Sequence, residues 1–253
     1  KLELDLLGEI KIIDPAIGSG IMALSILRLV HQLTGKDVLR LVEENFYGVD
    51  NNNEQLLLSE ITLSLLSLEL SGSLPSKFNL LNHDSFKLTP AVLKKSFGES
   101  FFDIIITNPP YIRSKNLDAN TVSFIKEQYS ATSVGIVDTY IPFFEISINL
   151  LKEDGLGILI TPNSYLTTNN GKALRKYLLN HTSEIKLVNF MNEKVFDKVS
   201  SYSVITFFKK ESDCRNKNNL EAIILEKSGD NKTYHTIQTQ KLIQKDTWRT
   251  ITK

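Results

Sequence analysis

The sequence predicts an α/β protein built on a doubly wound, mostly parallel seven-stranded sheet whose last strand runs antiparallel. Three observations lead there. Short apolar runs alternate with longer helical stretches, the pattern that right-handed crossovers between parallel strands require. Four of those runs end in or shortly before a carboxylate or amide, at Asp14, Asp50, Asp84 and Asn108, and open α/β sheets bind ligands at the carboxyl ends of their strands. The last two core runs, Ile185 to Phe190 and Tyr202 to Lys209, are joined without a long helix, which suits an antiparallel pair.

Each element has its own signal. Glu9 to Asp14 reads as the first strand, followed by a Gly-rich turn and a helix over Ile21 to Leu33. Asp37 to Glu44 reads as a further helix before the second strand, Asn45 to Asp50. Asn51 to Asn53 supply capping side chains, Glu54 sits in the first helical turn, and apolar residues continue to Leu70. Lys77 to Leu81 is the third strand and Phe101 to Thr107 the fourth. Asp138 to Leu151 reads as an amphipathic helix stopped by Lys-Glu-Asp-Gly, with Leu156 to Thr161 as the fifth strand and Lys172 to Leu179 as a helix. Ile112 to Val137 departs from the alternation. It is long, polar and mixed, which reads as a loop or lid over a site.

Composition limits the class. With 253 residues the chain can bury one large core or a domain with an appendage. Lys and Arg balance Asp and Glu at 29 each, so any nucleic-acid surface must be local. The one cysteine, Cys214, excludes an internal disulfide framework and suits a reducing cytoplasm. No basic-then-apolar leader opens the chain, and no apolar run reaches the ~18 residues that span a bilayer. These features predict a cytoplasmic protein with no membrane partner. Lys1 in place of a methionine reads as a piece of a longer protein.

The densest chemistry lies in Asn108-Pro109-Pro110-Tyr111. An Asn side-chain oxygen and the Pro109 carbonyl each accept a hydrogen bond, and Tyr111 offers a flat stacking face. Together they suit a planar group carrying an NH2. A rigid strand-ending turn is the structural alternative, since paired prolines stop strands and helices alike. Asp14-Pro15-Ala16-Ile17-Gly18-Ser19-Gly20 opens the first helix, with glycines that let a ligand approach the backbone. Residues 18 to 23 also satisfy Gly-x-Gly-x-x-Ala, and a nicotinamide dinucleotide site gives no role to the Asn108 turn. Asp50 is placed to chelate the two hydroxyls of a ribose and Asp84 to accept from an adenine amino group. As helix N-caps, both would be equally ordinary.

Asp-Pro-Ala-x-Gly-Ser-Gly, then Gly-Val-Asp, then Asp-Ser-Phe, then Asn-Pro-Pro-Tyr, in this order, resembles the S-adenosylmethionine-dependent amino methyltransferases of DNA. More narrowly it resembles the adenine-specific enzymes whose cofactor motif precedes the catalytic one. These include methylase parts of type I and type IIG restriction–modification systems, stand-alone type II methylases and phage-defence methylases. The similarity extends through Asp138 to Glu145, Leu150 to Leu166, Val195-Phe196-Asp197 and Ser203 to Lys210, covering roughly residues 9 to 210.

The resemblance implies a Rossmann-like methyltransferase fold over residues 1–210, with 211–253 as a linker and the beginning of a target-recognition region. It implies S-adenosylmethionine as cofactor and S-adenosylhomocysteine as product. Asp14, Pro15, Ala16, Gly18 and Gly20 would line the methionine end of the cofactor, Asp50 with Asn51 the ribose, and Asp84 with Ser85 the adenine, with Asn108 alongside. Asn108, Pro109, Pro110 and Tyr111 would form the catalytic turn. Tyr111 and Phe196 would contact the target base, and Arg113 and Lys115 the target-strand phosphates. No metal is implied. Double-stranded DNA is the implied partner, with a specificity domain or subunit and a nuclease domain outside this chain. A glutamine methyltransferase acting on a protein, or an RNA guanine-amino methyltransferase, shares the tetrapeptide and stands as the alternative.

Overall fold

The computed structural model describes residues 9–190, 202–212, 219–228, 231–238 and 248, the two segments 219–228 and 231–238 by their backbone alone. The chain divides into two compact units, Lys1–Asn108 with Asn149–Lys152 and Pro109–Ile148 with Glu153–Lys253.

In the first unit four strands, β1 (Ile12–Asp14), β2 (Phe46–Asp50), β3 (Asn79–Asn82) and β4 (Phe102–Thr107), pair in the order β3-β2-β1-β4. Every pairing is parallel, with Asp14 opposite Gly48 and Asp50 opposite Asn82. The strands read as near-continuous apolar runs because both faces are covered, as parallel sheets demand. Ile12, Ile13, Val49, Phe102 and Ile105 are all fully buried, each stabilising by about 1.5–3 kcal/mol.

The crossovers start and stop where their capping chemistry directs. Helix α1 (Ile21–Thr34) buries Ala23, Leu27 and Val30 and ends on Gly35, whose N–H reaches the His31 carbonyl at 2.8 Å. Helix α2 (Asn53–Ser71) begins under Asn52, whose side chain accepts from the Glu54 N–H at 2.8 Å. It buries Leu56, Leu63 and Leu66 and leaves Leu57, Ile61, Leu65 and Leu68 exposed, an apolar outer face. Helix α3 (Pro90–Phe97) has Thr89 as N-cap, Pro90 at its start and Gly98 at its end. The helix expected over Asp37 to Glu44 is a single turn, Val38–Arg40, continued by a π-turn, Leu41–Asn45.

The second unit corrects two expectations. The polar stretch Ile112 to Val137 is a folded insert rather than a loop. It carries helix α4 (Ala119–Gln128), capped by Asp118, and short 3-10 turns at Ser114–Asn116 and Ser130–Thr132. Ile125, Tyr129, Ala131 and Val137 are buried beneath it, and the Glu145 carboxylate accepts from the Ala131 N–H at 2.9 Å. Its two ends close on each other through a bridge between Arg113 and Asp138 and a 3.0 Å bond from the Ser114 N–H to the Val137 carbonyl. Helix α5 (Tyr140–Leu150) is buried on all sides except Asn149, so it is a core helix rather than an amphipathic one.

Strand β5 (Leu151–Pro162) starts directly where α5 ends, with Asp154 at φ 63° in the stretch expected to stop the helix. After β5 come helix α6 (Lys172–His181) and strands β6 (Thr182–Asn189), β7 (Ser203–Lys210), β8 (Asn219–Ser228) and β9 (Asn231–Gln238). Their order is β5-β7-β6-β8-β9. Strand β7 is antiparallel to both β5 and β6, as expected of the last core strand. The described residues hold the seven expected strands, β1 to β7, and two more, β8 and β9. Strand β8, in the stretch expected to be a linker and the beginning of a target-recognition region, pairs parallel with β6 from Glu184–Asn219 to Asn189–Ile224, and β9 pairs antiparallel with β8.

Candidate active site

The carboxyl ends of β1 and β2 and the turn after β1 form one hydrogen-bonded assembly within the first unit. Asp14 is fully buried, and its Oδ1 accepts from the Ala16 N–H at 2.9 Å. Its Oδ2 is buried with no hydrogen-bond partner. Burial pushes the Asp14 carboxyl up to about 7; the Thr107 hydroxyl and the Ala16 N–H ease that rise, and Asp50 adds to it. The Thr107 hydroxyl is near enough to act on the carboxyl without making a hydrogen bond of ordinary geometry.

Asp50 ties the turn to β2. Its Oδ2 accepts from the Gly18 N–H at 3.0 Å and its Oδ1 from the Asn52 N–H at 2.9 Å. An ionised carboxylate has about four acceptor sites, so Asp50 keeps capacity for a diol. The turn needs its glycines: Gly18 and Gly20 lie at φ 55° and 82°, and a Cβ on Gly20 would meet the Ser59 Cα at 3.3 Å. Ser59 Oγ donates to the Gly18 carbonyl at 2.6 Å, and Thr62 Oγ1 to the Ser19 carbonyl at 2.8 Å. Sequence reasoning missed both. They are two of five hydroxyl residues in that helix, and nothing in the sequence singled them out.

Ser85 Oγ donates to the Pro15 carbonyl at 2.5 Å. Asp84 caps the 3-10 turn Ser85–Lys87 through a 3.0 Å bond from the Phe86 N–H, and Lys87 lies 3.6 Å from its Oδ2. Asn51 is exposed beside Asp50. Asn108 follows the buried Thr107 at the end of β4, the strand paired to β1. All ten residues expected around the cofactor therefore belong to one unit, and three contacts join them directly: Asp14–Ala16, Gly18–Asp50 and Pro15–Ser85. A buried carboxylate oxygen lacking a donor, a second carboxylate with spare acceptor sites and a glycine turn fit a ligand bearing an ammonium group and a ribose.

In the second unit the turn residues Pro109, Pro110 and Tyr111 are held from several directions. The Tyr111 hydroxyl donates to the Ile160 carbonyl of β5 at 2.9 Å. Its ring meets that of Tyr140 at 87° and 6.3 Å, and the Tyr140 hydroxyl lies 3.1 Å from Ser164 Oγ. Burial lifts both phenols above their usual range. Thr139 Oγ1 donates to the Pro110 carbonyl and accepts from the Ile112 N–H. Arg175, buried on α6, donates to the Tyr165 and Thr168 carbonyls and so fixes the segment after β5.

Arg113 and Lys115 are exposed at the start of the insert. Arg113 partly offsets the burial that raises the Asp138 carboxyl. Phe196 lies outside the described residues. Among the described residues no group of three His, Cys, Asp or Glu side chains is placed to hold a metal ion, and no helix is long and apolar enough to cross a membrane.

The profile of the Eco57I restriction-modification methylase family matches residues 44–196. The chain belongs to that family. The match takes in Asp50, Asp84 and the whole turn from Asn108 to Tyr111. A curated relative, the type II methyltransferase M.HincII of Haemophilus influenzae, is 33% identical over 161 residues, 61% of this chain and 30% of the relative. The adenine-specific methyltransferase BrxX of Escherichia coli O9:H4 (strain HS) is 26% identical over 105 residues, 42% of this chain and 8% of that protein. Among solved structures, the type IIG restriction endonuclease BpuSI superposes with a TM-score of 0.66 at 20% identity, covering 99% of this chain and 31% of its own. A putative class I S-adenosylmethionine-dependent methyltransferase from Listeria monocytogenes gives a TM-score of 0.57 at 16% identity, over 87% and 62% of the two chains. These similarities confirm the methyltransferase fold. The chain spans less than a third of the length of the curated relatives named here.

Proposed function

We propose that this chain is the catalytic part of an enzyme that transfers the methyl group of S-adenosylmethionine to the exocyclic amino group of adenine in double-stranded DNA. One observation carries the reading most. Asn108 closes β4 beside β1, whose end holds the buried, half-satisfied carboxylate of Asp14, within a turn that Asp50 and Ser85 stitch together. Residues 1–210 would hold this chemistry, and 211–253 would lead toward a target-recognition region.

Asp14 Oδ2 suits the cofactor's ammonium group, Asp50 its ribose, and Asp84 with Ser85 its adenine. When bound, the cofactor supplies an electrophilic methyl on a positively charged sulfur. The protein's task is then to make a poor nucleophile competent. Adenine's amino lone pair is delocalised into the ring. Asn108 Oδ1 and the Pro109 carbonyl would accept hydrogen bonds from its two N–H groups, favour a more tetrahedral nitrogen and stabilise the positive charge that develops there. The two acceptors belong to consecutive residues of the chain. The target base must leave the duplex, and the Tyr111 ring, held by Ile160 and Tyr140, offers a stacking surface that offsets part of the unstacking cost. Arg113 and Lys115 are exposed where target-strand phosphates would pass. Site choice and cleavage would fall to a specificity domain or subunit and a nuclease, consistent with the restriction–modification family.

The test is nucleoside mass spectrometry of genomic DNA from a methylation-deficient host expressing the full parent gene, with Asn108→Ala as control. N6-methyladenine that vanishes in the variant is the expected result. No methylated adenine from either, in a host carrying every partner gene, would overturn DNA adenine as the substrate and point to a protein glutamine or RNA guanine.

A further inference from the structure

We propose that Thr139 is a positioning residue for methyl transfer, a splint that holds the Asn-Pro-Pro-Tyr turn at the angle its chemistry needs. The inference rests on the methyltransferase reading given above. Proline has no N–H, so Pro109 and Pro110 remove two donors with which the turn could brace itself. Thr139 supplies the brace from outside. Its Oγ1 donates to the Pro110 carbonyl at 2.5 Å and accepts from the Ile112 N–H at 2.8 Å, while its own N–H donates to the Ile112 carbonyl at 3.0 Å. One residue thus spans Tyr111 from both sides along the chain.

The geometry has two consequences. The Pro110 carbonyl is engaged by Thr139, which turns it to the brace and leaves the Pro109 carbonyl as the turn's acceptor for an amino group. The Tyr111 backbone is fixed at the Thr139 end while its hydroxyl is fixed at Ile160, so the ring has little freedom to tilt. The next rung, the bridge between Arg113 and Asp138, continues the same ladder into the root of the folded insert. Thr139 is 1% exposed, whereas Pro110 and Ile112 are exposed. Both bonds are only part-buried, and losing the hydroxyl removes what sets the direction of its two partners. Only a small hydroxyl residue can donate and accept at once in this space.

The test uses the full parent protein with Thr139→Val, which keeps shape and loses the hydroxyl, and Thr139→Ser, which keeps the hydroxyl. Methyl incorporation into unmethylated phage DNA is followed under single turnover, with cofactor affinity by calorimetry and backbone amide exchange by mass spectrometry over residues 108–116. We expect Thr139→Val to slow transfer by about tenfold to a hundredfold, the cost of misplacement by an ångström or less. Cofactor affinity should stay within about twofold, Ile112 amide exchange should rise at least about tenfold, and Thr139→Ser should restore both. Transfer by Thr139→Val at the wild-type rate, or unchanged Ile112 exchange, would overturn the proposal. So would a joint fall in melting temperature and cofactor affinity that Thr139→Ser does not rescue. If wild-type protein methylates no DNA, the functional reading fails separately, and the exchange measurement still decides the brace.

Discussion

The Asp50 carboxylate and the Gly18 amide are joined by a 3.0 Å hydrogen bond that ties the end of β2 to the turn after β1. That bond shapes the glycine turn proposed to meet the cofactor. Asp50→Ala leaves the Gly18 and Asn52 N–H groups without their acceptor and removes the proposed ribose contact. Hydrogen bonds to a charged group contribute about 1.5–3 kcal/mol, so S-adenosylmethionine affinity should fall by about tenfold to a hundredfold in calorimetry. Affinity within twofold of wild type would remove Asp50 from the site.

Tyr111 has two separable parts, a hydroxyl bonded to Ile160 and a ring proposed to stack on the target base. Tyr111→Phe loses only the hydrogen bond, worth about 1 kcal/mol, and should methylate within a few-fold of wild type. Tyr111→Ala loses the ring. Its rate on paired adenine should fall further than its rate on mismatched or unpaired adenine, which is cheaper to extrude. Equal losses on both substrates would argue against stacking.

Asp14 makes folding stability depend on pH. Burial moves its carboxyl from the ordinary 3.8 to about 7 in the folded protein. Between those values the folded state holds a proton that the unfolded chain has released, so stability falls as pH rises through this window and levels off above about 7. The loss is about 4 kcal/mol at most, at ~1.4 kcal/mol per pKa unit. Urea unfolding at pH 5 and pH 8 should show it in the wild type and not in Asp14→Asn. Parallel behaviour of the two proteins would mean that Asp14 titrates normally. Cofactor affinity should rise over the same range, because an ammonium group favours the ionised carboxylate.

Gly48 lies where β2 passes under the glycine turn. A Cβ there would sit 2.5 Å from Ile17 Cδ1 and 2.7 Å from Leu80 Cδ2. Overpacking of this kind costs about 1–3 kcal/mol, so Gly48→Ala should lower the melting temperature by several degrees. Cofactor affinity should fall with it, since Ile17 belongs to the turn. An unchanged melting temperature would show that Ile17 and Leu80 repack freely.

The four carboxyl-end residues were legible because strand-ending Asp and Asn before a turn is a local pattern. The structure adds how they are satisfied, and there capping and ligand roles coexist. Asp84 is an N-cap with a second oxygen turned to Lys87, and Asp50 serves two N–H groups while keeping acceptor sites. The insert was misread because Ile125, Tyr129 and Val137 are too sparse among polar residues to signal a helix. The insert is also tied down by Glu145, which accepts from the Ala131 N–H, a contact no local pattern announces. Helix α5 looked amphipathic because Glu145 and Asn149, four apart, share one face, with Ser147 on the other side. Ser147 instead bonds back to the Phe143 carbonyl at 2.6 Å and Glu145 reaches the insert, so only Asn149 is exposed.

The amino-acid order alone determined the alternation of strands and helices, the position of the glycine turn and the identity of the Asn-Pro-Pro-Tyr turn, since each depends on the conformational and hydrogen-bonding limits of neighbouring residues. Tertiary structure decided what those residues face: the unpartnered oxygen of Asp14, the Ser59 and Thr62 hydroxyls under the glycine turn, and the pairing of β8 with β6. It also decided the Thr139 splint across a turn that two prolines leave unable to brace itself. Those contacts join residues far apart in sequence, and a hydrogen bond is chosen by the distance between its atoms in space, which local preference does not encode.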